Sequence, residues 1–122
     1  MMYIATIVLL FLFADDAKPL STDDAAKKVG EKVTVEMEVK STGQARSGIV
    51  FLNSMANRND GKNFVVVIKK ESVEKFKKAL NAEPRDHYKN KMIRVTGTVT
   101  LYMNRPQIEV IDPEQVKVVE KK

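Results

Sequence analysis

Residues 91–102 read KMIRVTGTVTLY, and this stretch limits what the chain can fold into. Ile93, Val95, Val99 and Leu101 alternate with Arg94, Thr96, Thr98 and Thr100, the period-two pattern of a half-buried strand. Gly97 interrupts it near the centre, where a barrel strand bends or bulges.

The same period appears at residues 32–40. Val33, Val35, Met37 and Val39 alternate there with Thr34, Glu36, Glu38 and Lys40. Residues 41–48 (STGQARSG) are polar and read as a loop. Residues 49–53 (IVFLN) and 64–68 (FVVVI) are continuous apolar runs, strands two and three, apolar on both faces. Between them NRNDGK (57–62) carries the Asp60-Gly61 turn signal. Residues 71–81 then switch to helical spacing, with Val73, Phe76 and Leu80 on one face and Glu71–Lys75 and Glu74–Lys78 as i, i+4 pairs. Pro84 blocks extension, and residues 83–90 form a polar connection holding the single His. A turn at 103–106 leads to a fifth strand at 107–111, and residues 115–119 add a short terminal strand.

Ahead of the strands, Ser21-Thr22-Asp23-Asp24 opens a short helix that Ser21 caps and Gly30 stops. Its apolar surface is only Ala25, Ala26 and Val29, which suits a lid or plug better than a core element. Lys18-Pro19 reads as a linker. Residues 1–14 (MMYIATIVLLFLFA) carry no charged side chain and are followed by Asp15 and Asp16. They are too short to span a bilayer and match the apolar segment of a signal peptide.

The domain map is therefore a signal peptide (1–14), linker and short helix (15–30), a folded domain (31–119) and a tail (120–122). The expected location is outside the cytoplasm, periplasmic or secreted, with no stable membrane anchor after cleavage. The net charge is +5; residues 15–30 contribute −1, so the body carries +6. Such an excess permits an anionic partner. With no Cys, disulfides, thiol nucleophiles and thiolate metal sites are excluded.

Three strands, a helix and two strands is the order of an OB-fold. The expected class is all-β with one inserted helix: a five-stranded Greek-key OB-fold barrel preceded by a short N-terminal helix. The alternatives are another small β-barrel and an open sheet with one packed helix.

The blocks VGEKVTVEMEV (29–39), GIVFLNS (48–54), NFVVVI (63–68) and KNKMIRVTGTVTLYMNRPQIEVIDPEQV (89–116) resemble a family of small exported bacterial OB-fold domains described as nucleic-acid-binding, some of them associated with nuclease modules. The most distinctive parts are Phe51-Leu52-Asn53 followed by residues 63–68, and Tyr102 with Arg105-Pro106-Gln107-Ile108. Met103-Asn104 departs from the pattern, which has a basic residue and glycine at that turn. A fainter resemblance is to small periplasmic OB-fold proteins associated with stress responses.

Single-stranded nucleic acid needs aromatic platforms for bases and cations along the backbone. The candidates in the relevant strands and loops are Lys40, Arg46, Phe51, Arg58, Lys62, Tyr102 and Arg105. Phe51 and Phe64 are the aromatics on strands two and three, but a Phe in a small barrel is more often a core residue; Tyr102 is the better stacking platform, its alternative being a Tyr packed on the rim. Lys75, Lys77 and Lys78 read as a solvated helix face. No catalytic, metal or cofactor site can be assembled: His87 stands alone, and no phosphate-binding glycine motif occurs. Two functions remain. One is a non-catalytic module for single-stranded DNA or RNA in an exported protein. The other is a protein-interaction or accessory domain of the cell envelope, suggested by the doubly apolar strands.

Export has a direct test. Mass spectrometry of the protein from its native host is expected to find the N-terminus at Asp15, or at Lys18 if cleavage follows Ala17. Recovery of the intact chain alone, from the cytoplasm, would show that the segment is retained.

Overall fold

The computed structural model describes residues 18–120; the expected signal peptide and the last two lysines lie outside them. Ser21 Oγ accepts from the Asp24 N–H at 3.1 Å and starts helix α1 (Thr22–Ala26). Strand β1 (Lys32–Glu38) follows. Leu20 lies along the edge of β1, its N–H donating to Thr34 O (2.8 Å) and its carbonyl accepting from Glu36 N–H (2.9 Å). Ala25 is fully buried in the core, so α1 packs on β1 and is not a lid over the apolar strands.

Strand β2 (Ser41–Gln44) forms where the sequence reads as loop. It pairs antiparallel with β3 (Val50–Asn53), Ser41 opposite Asn53 and Gln44 opposite Val50. β3 pairs with β4 (Val65–Ile68), which lies parallel to β6 (Arg105–Val110). Between β4 and β5 (Met92–Tyr102), a 3₁₀ turn at Lys70–Ser72 leads into α2 (Val73–Leu80), ended by left-handed Asn81. Val73 and Phe76 of α2 enter the core as their spacing implies, but Lys77, not Lys75 or Lys78, makes the ion pairs, reaching Glu74 (3.4 Å) and Glu83 (3.3 Å). The polar connection holds a short helix, α3 (Pro84–His87), followed by Tyr88, whose burial pushes its phenol up to about 12. A 3₁₀ turn at Pro113–Gln115 precedes β7 (Val116–Val119).

The expected closed five-stranded OB barrel is not what forms. The hydrogen-bonded order is β1-β5-β6-β4-β3-β2, with β7 added to β5, giving seven strands. No ladder joins β1 to β2 at the two ends of this path, so the sheet is open and not a β-barrel. With three short helices among the described residues packed against it, the class is mixed α/β, not all-β with one helix. The difference arises at Val39–Lys40. The Val39 N–H bonds Lys91 O (2.8 Å) while the Lys40 N–H bonds Asn53 O (2.9 Å), so what reads as one strand is divided between two partners. The terminal segment adds a further strand by pairing Val116–Val119 with residues 92–95.

β5 organises this sheet. One edge pairs with β1 from Met92 to Thr98; the other pairs first with β7 and then, from Val99, with β6. Gly97 sits in the interval between β7 and β6, and its register with β1 is unbroken, so it marks a change of partner and not a bulge. Gln115 fills the interval, donating from Nε2 to Thr96 O at 3.0 Å while its Oε1 accepts the Ile111 and Asp112 N–H groups. Across β1 and β5, Arg94 Nε donates to Glu36 Oε1 at 2.8 Å, and the Thr34 and Thr96 hydroxyls meet at 2.8 Å. The inner face is one continuous core in which Val35, Leu52, Val66, Ile93, Val95, Val99 and Ile108 are all fully buried.

A Cβ at Gly97 would stand 2.5 Å from Ile108 Cγ2. Alanine for glycine within a strand ordinarily stabilises by about 0.5–1 kcal/mol. Here overpacking should reverse the sign, and Gly97→Ala is expected to cost about 1–3 kcal/mol in denaturant unfolding. In an Ile108→Ala background, where the opposing methyl is gone, the same change should cost much less. Equal costs in both backgrounds would remove the close approach as the reason for glycine.

Candidate nucleic-acid interface

The outer face of the sheet, opposite the core, carries a cleft of about 560 Å³. Cross-strand register sets its floor: Ser41, Asn53, Val65 and Gln107 form one row, and Gly43 lies opposite Phe51 in the next. Phe51 is half-buried here and outside the core, while Phe64 is buried within it. A Cβ at Gly43 would meet nothing within 4 Å, so the space above this position, across from Phe51 in the register, is open.

One wall is the β5–β6 hairpin. Tyr102 and Arg105 are paired across a two-residue turn, Met103-Asn104. Both turn residues have positive φ (51° and 63°), as a type I′ turn requires. Met103-Asn104 therefore forms a tight turn without a glycine, with Met103 in the left-handed region at its tip. Tyr102 and Met103 are 64% and 80% exposed at the lip of the cleft, and Leu101 beside them is 52% exposed.

The opposite wall is the loop between β3 and β4, and buried polar groups fix its base. Asn63 donates from Nδ2 to Asn53 Oδ1 (3.1 Å) and Arg58 O (3.2 Å), and its Oδ1 accepts the Met55 N–H (3.1 Å). Ser54 Oγ accepts the Phe64 N–H at 2.8 Å, and Ser41 Oγ donates to Met55 O at 2.7 Å. Asn53, Ser54 and Asn63 are buried, and no buried side-chain polar atom among the described residues lacks a partner. Such satisfaction is what makes buried polar groups tolerable. Asn57 and Asp60 shape the tip by accepting from the N–H groups of Asn59 and Lys62.

Of the seven residues singled out in the sequence, Phe51, Arg58, Tyr102 and Arg105 line the cleft together. Lys40, between β1 and β2, Arg46, in the β2–β3 turn, and Lys62, on the loop, are exposed and do not line it. Arg105 does not point freely into the space. Its guanidinium donates to Arg58 O (2.9 Å), Asn59 O (3.1 Å) and Asp60 O (3.2 Å). No Asp or Glu lines the cleft, leaving Arg58 and Arg105 as its charges. Sequence reasoning passed over Ser41, Thr42, Asn53, Asn59, Asn63 and Gln107 as lining residues. The nearest signal was the pair Asn53 and Asn63, each abutting an apolar run. Among the described residues no group of His, Cys, Asp or Glu could hold a metal ion, and no helix is long and apolar enough to cross a membrane.

No protein-family model matches this chain, and no curated protein does. Solved structures do. An asparaginyl-tRNA synthetase from Pyrococcus horikoshii matches with a TM-score of 0.57 and 18% identity over 84% of this chain and 23% of its own. An aspartyl-tRNA synthetase from Leishmania major Friedlin, described as putative, matches with a TM-score of 0.55 and 11% identity, over 88% of this chain and 21% of its own. OBody AM1L10, solved bound to hen egg-white lysozyme, matches with a TM-score of 0.58 and 16% identity, over 86% of this chain and 96% of its own. The chain thus spans less than a quarter of either synthetase and nearly all of the OBody. The likeness is one of fold alone: a small OB-fold-like domain built on an open sheet.

Proposed function

We propose that the outer-face cleft binds a short stretch of single-stranded nucleic acid, in a protein that works outside the cytoplasm. The observation that carries this reading is the convergence of Phe51, Tyr102 and Arg58 on one acid-free surface. Aromatic faces accept stacked bases of any sequence, and an arginine supplies the phosphate contact. The Asn and Gln amides along the floor offer donors and acceptors to base edges. A fold shared with two tRNA synthetases supports the same ligand class. The apolar lead segment of residues 1–14 supports export. A second reading, a protein partner on the same face, draws support from the exposed Leu101-Tyr102-Met103 tip and from the lysozyme-bound OBody.

Titration of short DNA and RNA oligomers at several salt concentrations tests the proposal. With few cations lining the cleft, the log–log salt slope should lie between about −0.7 and −1.4, the values for one or two neutralised phosphates. Arg58→Gln should flatten it by about 0.7. Tyr102→Ala should weaken binding by about 1–3 kcal/mol with little change in slope, because stacking releases few counterions. Failure to bind any oligomer at low salt would overturn the nucleic-acid reading in favour of a protein partner.

A further inference from the structure

We infer that Arg105 is a positioning residue that sets the width of the cleft by tying one wall to the other, and that it does not serve as a phosphate contact. The inference deepens the nucleic-acid reading of this cleft and rests on it for its binding arm alone. Arg105 begins β6, and its backbone is paired with Tyr102 across the hairpin turn. Its side chain reaches the other way, into the loop between β3 and β4, and binds three successive carbonyls, those of Arg58, Asn59 and Asp60. The loop's own bonds do not reach the hairpin. Asn63 holds its base to β3, and Asn57 and Asp60 bond within the tip. The Arg105 bonds therefore join the wall bearing Arg58 and Asn59 to the wall bearing Tyr102 and Met103.

The chemistry suits arginine alone. A planar guanidinium carries five donors in a rigid fork, and three of them are used here on a carbonyl arc. A lysine ammonium keeps the charge but cannot reproduce that fork. A phosphate contact has a different requirement, since a point charge serves it well. Arg58 fits this second case: its backbone carbonyl receives the clamp, and its side chain is exposed at the cleft. Lysine substitution should thus separate the two roles.

The test compares R105K and R58K by amide hydrogen exchange and by oligonucleotide titration over a range of salt. In R105K the Asp60 and Lys62 amides, bonded to Asn57 O and Asp60 Oδ1, should exchange at least about tenfold faster, reflecting loss of charge-assisted bonds. Amides of β4 should keep their protection, which excludes global unfolding. Binding should weaken about tenfold with the salt slope unchanged, while R58K should leave the loop amides as protected as in the wild type, since only the Arg58 backbone carbonyl receives the clamp. The inference is overturned if R105K leaves the loop amides protected, or if it binds like the wild type. If the wild-type chain binds no oligomer, the nucleic-acid reading fails, and the exchange result still decides whether Arg105 holds the loop.

Discussion

Gly97 leaves room for no side chain, since a Cβ there would stand 2.5 Å from Ile108 Cγ2, and the exchange of strand partners is arranged around that close approach. Among the described residues β5 is the only strand that pairs with three others, and the exchange of β7 for β6 along one edge takes place beside Gly97. Any side chain there would meet the Ile108 methyl that closes the core beneath β6. An interval between two partner strands also leaves backbone groups without ladder bonds, and such groups must find other partners when buried. Gln115 supplies one by bonding Thr96 O, and the capping box with Asp112 fixes the turn from which it reaches. Glycine and glutamine together let one strand serve two sheet segments.

On the outer face the constraint is polar. The loop between β3 and β4 buries little apolar surface of its own, since residues 57–62 are exposed. Its shape comes instead from side-chain amides and carboxylates that substitute for backbone partners. Asn63 is the most committed of these, joining β3 and the loop through three hydrogen bonds while almost wholly buried. The hairpin facing it is under a different stress. A non-glycine residue in the left-handed region costs about 1–2 kcal/mol, and stability alone would favour Asn-Gly in this turn. Met103 holds that position with most of its surface in water, so its apolar side chain is presented at the lip of the cleft and not consumed in packing.

The parts of the fold that were legible in the sequence are those where hydrophobic period and burial coincide. The alternation at β1 and β5, the apolar runs at β3 and β4, the Ser21 cap and the Val73/Phe76 face all have their origin in side chains entering one core. β2 was illegible because Ser-Thr-Gly-Gln has no apolar residue to set a period; it is a strand because β3 offers an edge. Barrel closure was inferred from element order, and order says nothing about where a continuous strand changes partner, as happens at Val39–Lys40. For the site, residue type pointed to Phe51, Arg58, Tyr102 and Arg105. It could not distinguish an arginine whose side chain faces the cleft from one whose fork is engaged by carbonyls 45 to 47 residues away.

That last distinction bears on how a basic protein can carry a cleft with few free cations. The chain carries +5 overall, yet most of its cations lie away from the cleft. Lys40 and Lys62 each adjoin a lining residue in sequence, Ser41 and Asn63, without lining the cleft themselves. At about 0.1 M salt the Debye length is about 10 Å, so such neighbours still attract an anion while their contribution is readily screened. The lining itself combines aromatic and aliphatic surface with amides, whose contacts depend on shape and hydrogen-bond geometry. In the proposed binding mode, long-range attraction and short-range contact therefore fall to different residues. Arg105 belongs to neither group: its guanidinium is directed at the chain's own carbonyls, where it joins the two walls of the cleft.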